Sequence, residues 1–250
     1  MSDAASKTVT TLLFDYGHTL MDFTRPEALL LEAYHRINKR LEAELEAEVP
    51  SAAELLVAVS ERVDDEIGRS YRGGAEQEVD IAALYEDALS ALGMHLTPET
   101  LSWIVEHEQD AWLSGIEASP HAIPVLDALK GRGLRLGIVS NAAFPPQSMR
   151  NQLESLELAP YFDATVYSSE VGVRKPNRAI YQECMNRLGG DDGGGVVFIG
   201  DRLREDVMGP RKLGFDAVLT HEFRQEDPSR WGMTVQVITS LEQLPDLIPG

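Results

Sequence analysis

The sequence predicts an α/β protein whose parallel, doubly wound sheet is split by a helical insert. Three observations predict it. From about residue 120 onward, short apolar runs that end in turn residues alternate with helical patterns. A run of the same kind, Val9-Thr10-Thr11-Leu12-Leu13-Phe14, opens the chain and stops at Asp15. Between the two, roughly a hundred residues carry helical periodicity alone.

The elements follow in order. After Leu20 the pattern becomes helical. Pro26 suits a first turn, and Leu29, Leu30, Ala33, Ile37 and Leu41 recur near helical spacing. The acidic stretch 42–48 reads as the solvated end of that helix, and Pro50 breaks it. Ser51 caps a second helix through Ile67, with Leu55, Val59 and Val63 on one face; 68–74 reads as a loop. Helices follow at about 80–92 and, after Thr97-Pro98, at 99–113. Then come helix 122–132, strand 134–139, helix 147–156, strand 164–167, helix 178–188, strand 196–199, helix 205–213 and strand 217–220. A strand at 235–238 and a short helix at 241–248 close the chain. Asp191 to Gly195 is a link, and the polar stretch around Gln225 to Ser229 reads as a surface loop. The core domain is therefore 1–21 with 119–250, and the insert is 22–118. The insert leaves the sheet directly after Asp15, so it is placed to act as a lid.

Bulk composition excludes several classes. The chain has 250 residues, 43% apolar and 25% charged, ordinary for a globular protein. No apolar run approaches the ~20 residues of a membrane span, so no membrane partner is expected. The first residues are polar and small, unlike a secretory leader. One cysteine, Cys184, excludes an internal disulfide and fits a reducing, cytoplasmic setting. The net charge of −19 argues against nucleic acid, whose phosphates need a basic face. An anionic substrate would then need a local cation inside a negative protein. Monomer and homodimer both stay open.

Four segments end a strand or lie beside one: Asp15-Tyr16-Gly17-His18-Thr19; Ser140-Asn141; Lys175-Pro176; and Gly200-Asp201-Arg202-Leu203-Arg204-Glu205-Asp206. In an open parallel sheet, sites form outside the C-terminal strand ends. Carboxylates that converge there must take up protons or hold a cation. In order, spacing and strand context, the four segments resemble the haloacid dehalogenase superfamily across the whole chain. The insert resembles the helical type-one cap of that family, and the core its Rossmann-like sheet.

The resemblance implies a role for each residue. Asp15 matches the nucleophile, whose attack splits one hard displacement into two easier ones. Ser140 matches the hydroxyl that binds the transferring group, helped by the backbone N–H of Asn141. Lys175 matches the lysine that neutralises nucleophile and substrate. Asp15, the Gly17 carbonyl, Asp201 and Asp206 match a Mg²⁺ site, and this hard cation prefers such oxygens. Asp206 would act directly or through a water, or stabilise a helix N-terminus. Arg202 and Arg204 read as surface residues.

One position departs from the pattern. Phosphatases of the family usually carry a second Asp two residues after the nucleophile, where this chain has Gly17. A backbone carbonyl there still serves a metal, but the proton donor is lost, and general acid–base catalysis is typically worth ~10²–10⁴-fold. Three readings stay open. The first is a Mg²⁺-dependent phosphohydrolase of a small phosphorylated metabolite, with His18, a cap residue or a good leaving group making up the loss; His18 titrates near neutrality, with a packing role as its alternative. The second is dehalogenation, which the family performs without metal, or phosphonate cleavage, which needs a cap lysine; 41–129 contains none, and Lys39 sits in the first helix of the insert. The third is a catalytically impaired binding or regulatory protein. Tyr34, His35, Tyr71, Arg72, Trp103 and Trp112 are candidates for the lid lining, with core packing or surface exposure as the default for each.

Overall fold

The computed structural model describes residues 8–45, 48–190 and 193–248. The polar N-terminal stretch 1–7, part of the acidic stretch (46–47) and part of the link (191–192) lie outside the described residues. In chain order the elements are β1 (Val9–Phe14), β2 (Met21–Phe23), α1 (Glu27–Glu44), α2 (Ala52–Leu55), α3 (Arg62–Arg72), α4 (Ile81–Ser90) and α5 (Pro98–Trp112). They continue with β3 (Ile116–Ala118), α6 (Ala122–Gly131), β4 (Arg135–Ser140), α7 (Pro146–Ser155), β5 (Ala164–Tyr167), α8 (Ser168–Val171) and α9 (Arg178–Arg187). The last are β6 (Gly195–Gly200), α10 (Gly209–Arg211), β7 (Asp216–Thr220), β8 (Gln236–Ile238) and α11 (Leu244–Leu247).

Six strands form one sheet in the order β5-β4-β1-β6-β7-β8, and every pair in it is parallel. Strands buried on both faces read as continuous apolar runs, which is why Leu12, Leu13 and Phe14 are all inaccessible. The chain moves outward from β1 to β4 and β5 on one side, then returns to β6, β7 and β8 on the other. Phe14 pairs with both Ile138 of β4 and Ile199 of β6. The residues that follow these three strands therefore emerge side by side at the point where the winding reverses. Cys184 lies inside the core with Ile180, Tyr181 and Phe198, and burial pushes its thiol up to about 12.

The chain divides into two compact units. One comprises 1–23, 117–142 and 153–250; the other comprises Thr24–Ile116 and Ala143–Gln152. The second unit is helical and has its own core, built on Leu30, Tyr34, Ile37, Leu55, Val59, Tyr85 and Ile104. Phe144 packs on that core, so the segment after β4 belongs with the helices.

Several boundaries differ from those the sequence predicts. Leu29 is exposed, and the buried face of α1 is Leu30, Ala33, Tyr34, Ile37 and Leu41. Ser51 caps α2 through a reciprocal bond pair with Glu54. The helix then passes through a π-helical turn, Leu56–Glu61, into α3, which continues to Arg72 instead of stopping before residue 68. The segment predicted as helix 205–213 is a π-helical turn, Leu203–Met208, followed by the short α10. The short strands β2 and β3 pair in a separate two-stranded sheet that the sequence pattern does not reveal. Among the described residues, no helix is long and apolar enough to cross a membrane.

Candidate active site at the sheet edge

The turn after β1 places the first carboxylate. The Asp15 N–H donates to the Ile199 carbonyl at 2.8 Å, extending the pairing with β6 by one residue. The chain then folds back: the Leu20 N–H reaches the Tyr16 carbonyl at 2.9 Å and the His18 N–H the Met21 carbonyl at 2.6 Å. His18 takes a left-handed backbone, φ 58°, and its Nδ1 lies 2.8 Å from Asp22 Oδ1 while its ring rests against Phe23. Burial, then the charge of Arg224, lowers the His18 imidazole below its ordinary pKa against the pull of Asp22 and Asp15. The side chain is thus held within the turn.

Lys175 comes from the segment after α8, whose end is marked by Gly172 in a left-handed conformation. Asn141, directly after β4, fixes this segment with its side chain. Its Oδ1 accepts from the Lys175 N–H at 2.7 Å, and its Nδ2 donates to the Lys175 carbonyl at 3.3 Å. The Lys175–Pro176 peptide bond is cis. The lysine is buried, and its Nζ donates to Asp15 Oδ1 at 2.6 Å and to Asp206 Oδ1 at 2.8 Å. Burial alone would discharge this ammonium; the two carboxylates outweigh it and hold the pKa above the ordinary lysine value. Ser140 is the buried last residue of β4, the strand next to β1.

Asp201 and Asp206 bracket the π-helical turn after β6. Asp206 Oδ2 accepts from the Arg202 N–H at 2.9 Å, and the Asp206 N–H returns to the Arg202 carbonyl at 2.8 Å. Gly200 permits this closure: a Cβ there would lie 2.4 Å from the Asp206 carboxyl carbon. Asp201 Oδ2 accepts from Arg224 Nη1 at 2.7 Å. Asp201 Oδ1 is buried and has no hydrogen-bond partner among the described residues.

Asp15, Asp201 and Asp206 each offer an oxygen within 4.8 Å of the others. At an effective dielectric near 20, two ionised carboxylates ~4 Å apart repel by about 4 kcal/mol. Burial, followed by the charges of Asp15 and Asp206, raises the pKa of Asp201. Burial also raises that of Asp206, with Lys175 opposing it. When both are ionised, Asp15 and Asp201 have no proton to share, and Asp201 Oδ1 has no donor among the described residues. An unpartnered buried carboxylate oxygen in an all-oxygen cluster is the donor set a hard divalent cation takes.

The structure thus gathers Asp15, Lys175, Asp201 and Asp206, sets Ser140 on the adjoining strand end, and gives Asn141 a side-chain hold on Lys175 that the sequence did not suggest. Arg202 and Arg204 are partly exposed, and the polar loop after β7 has Gln225, Asp227 and Ser229 exposed. Sequence reasoning missed Arg224 and Glu226 in that loop. Glu226 Oε2 accepts the Leu203 N–H at 2.7 Å, so the loop is bound to the Asp201–Asp206 turn at two points. No spacing signature marks such residues. The one available signal was the need for cations in a chain of net charge −19.

A buried aspartate bonded to a lysine lies beside two further aspartates at the winding reversal of a parallel sheet, the place where open sheets of this kind carry their sites. The sequence profile of the haloacid dehalogenase-like hydrolases matches residues 9–214, and the chain belongs to that family. It is 32% identical over 133 residues to a glyceraldehyde 3-phosphate phosphatase of Methanothermobacter thermautotrophicus, covering 52% of this chain and 58% of the relative. It is 33% identical over 129 residues to the pyrimidine 5'-nucleotidase YjjG of Escherichia coli, covering 50% of this chain and 55% of the relative. The chain thus spans little more than half the length of these two relatives. In fold it is similar to a 2-haloacid dehalogenase from Pseudomonas syringae pv. Tomato DC3000, with TM-score 0.64, 24% identity, and coverage of 96% of this chain and 98% of that one. The relatives that it matches include phosphatases and nucleotidases.

Proposed function

We propose that the protein is a Mg²⁺-dependent phosphohydrolase acting on a small phosphorylated metabolite through an aspartyl nucleophile. The observation that carries this reading is the bond from Lys175 Nζ to Asp15 and Asp206 inside a cluster whose third member, Asp201, keeps a buried oxygen unpartnered. Metal-free dehalogenation gives no reason to keep such an oxygen next to two other carboxylates.

In this mechanism a carboxylate oxygen of Asp15 attacks phosphorus, the ester oxygen departs, and water then cleaves the aspartyl phosphate. Lys175 fixes Asp15 through its Nζ bond and offsets the negative charge gathered at the transferring group. The Ser140 hydroxyl and the Asn141 N–H bind the phosphoryl oxygens, and the Asn141 side chain keeps Lys175 in place. Asp15, the Gly17 carbonyl, Asp201 and Asp206 would hold Mg²⁺, which supplies a Lewis acid for the phosphoryl oxygens when bound. Gly17 provides no proton for the departing oxygen, so substrates with good leaving groups are favoured.

An assay with aryl phosphates and 2-haloacids, each with and without Mg²⁺, tests the reading. Mg²⁺-dependent phosphate release supports it. Halide release without metal contradicts it, and so does Mg²⁺ binding without turnover of either class.

A further inference from the structure

The loop between β7 and β8 contributes the only cation bonded to Asp201 among the described residues. That cation is Arg224, and its single hydrogen bond is to Asp201 Oδ2 at 2.7 Å. The loop is not loosely placed. Glu226 Oε2 accepts the Leu203 N–H at 2.7 Å, and His221 Nε2 lies 3.0 Å from the Glu226 carbonyl. Glu222 accepts the Leu241 N–H at 2.7 Å through Oε2 and binds the Ser119 hydroxyl through Oε1. The backbone carrying Arg224 is therefore anchored on both sides of it. A carboxylate with one oxygen bound by a fixed guanidinium loses its freedom to rotate, and its second oxygen acquires a set direction. That second oxygen, Asp201 Oδ1, is the buried one without a partner.

We infer that Arg224 is a positioning residue for divalent-cation binding: it takes Oδ2 of Asp201 so that Oδ1 is presented to the ion. This rests on the metal-dependent reading above. Outer hydrogen bonds to a metal-ligating carboxylate typically tune affinity by ~10–100-fold. A competing role for the guanidinium predicts the opposite sign. A positive charge that only repelled or displaced the ion would, on removal, leave binding tighter.

The test is calorimetric titration of Mg²⁺ and Mn²⁺ into the full chain and into Arg224→Gln, Arg224→Lys and Asp201→Asn, with circular dichroism to verify folding. The inference predicts that Arg224→Gln binds either ion ~10–100-fold more weakly. Arg224→Lys, which keeps the charge but only a point donor, falls between it and the parent protein. In turnover, the Mg²⁺ concentration for half-maximal rate rises by the same factor, while kcat at saturating Mg²⁺ is retained; a residue that merely held the fold would not give that split. Binding by Arg224→Gln that is equal or tighter, with Asp201→Asn still impaired, overturns the inference and leaves the metal reading standing. No binding by the parent protein, or undiminished binding by Asp201→Asn, overturns both. If Arg224→Gln does not fold, Arg224→Lys and Glu226→Gln decide the matter: weaker ion binding in both supports the inference, and unchanged binding contradicts it.

Discussion

Two buried acidic clusters, one in each unit, look alike by burial and differ in how their oxygens are satisfied. In the helical unit, Glu108 of α5 is almost fully inaccessible, and both its oxygens have donors: Tyr34 at 2.6 Å on Oε2 and Ser60 at 2.7 Å on Oε1. The Tyr85 hydroxyl lies beside the same carboxylate. Arg25 reaches Ser60 at 3.1 Å and pairs with Asp64. At the sheet edge, three carboxylates share Lys175 and Arg224, and Asp201 Oδ1 is left over. Burial raises the pKa of Glu108 as it raises that of Asp201. A raised carboxyl therefore does not separate a scaffold from a site. An unpartnered carboxylate oxygen does: both oxygens of Glu108 have hydroxyl donors, whereas Oδ1 of Asp201 has none among the described residues.

This contrast can be broken by mutation, and the largest effect belongs to Asp15. Asp15→Asn should lower turnover of an aryl phosphate by on the order of 10⁴-fold, by analogy with loss of other nucleophiles, while the melting temperature stays near that of the parent protein. A comparable loss from Glu108→Gln would erase the distinction between the clusters. Next is Gly17→Asp. A Cβ at Gly17 meets only Phe23, at an ordinary 3.6 Å. The substitution should speed hydrolysis of poor leaving groups by ~10²-fold or more, the usual scale of a supplied general acid. An unchanged rate would show that another residue already donates that proton.

Stability should respond in opposite senses. Glu108→Ala strands the buried Tyr34 and Ser60 hydroxyls and should cost about 3 kcal/mol, read as a lower midpoint in urea. Asp201→Asn removes one of three crowded carboxylates and should leave the metal-free protein as stable or up to ~1 kcal/mol more stable. A marked destabilisation by Asp201→Asn without metal would mean that the site cluster is scaffold too.

The smallest effect is in pH. Asp64 is pushed up to about 6 by burial and then by the charge of Glu108, against the pull of Arg25. Its folded pKa lies above the unfolded one, so the native state binds more protons in that window. Stability is then fully present below about pH 4 and falls as pH rises to about 6. Melting temperatures across that range should decline less steeply in Asp64→Asn than in the parent protein; parallel curves would remove Asp64 from the helical cluster's electrostatics.

Much of the sheet is legible in the sequence because a strand buried on both faces leaves a plain apolar run. The run before Asp15 is such a strand, as is the one before Asp201. The proximity of Asp15, Lys175, Asp201 and Asp206 is readable from strand-end position together with the family resemblance. The π-helical turns at 56–61 and 203–208 are not readable, because apolar periodicity over six residues does not separate them from an α-helix. Glu108 left a signal: it shares a face with Ile104 and Ala111 on α5, a charged residue within an apolar stripe. Arg224 left only the general need for a cation in an acidic chain, since its place depends on a loop whose course is set by Glu222 and Glu226 reaching distant backbone groups. The side-chain hold of Asn141 on Lys175 joins residues 34 apart and is likewise a product of the fold.

The claim at the centre is that Asp15 takes up the phosphoryl group in a cation-dependent step. Acid-quenching a steady-state reaction with an aryl phosphate and Mg²⁺, then mapping peptides by mass spectrometry, tests it directly. The account predicts a phosphoryl adduct on the peptide that carries Asp15, absent without Mg²⁺ and absent from Asp15→Asn. Turnover with the adduct on another residue, or an adduct on Asp15 that forms equally well without a divalent ion, would contradict it.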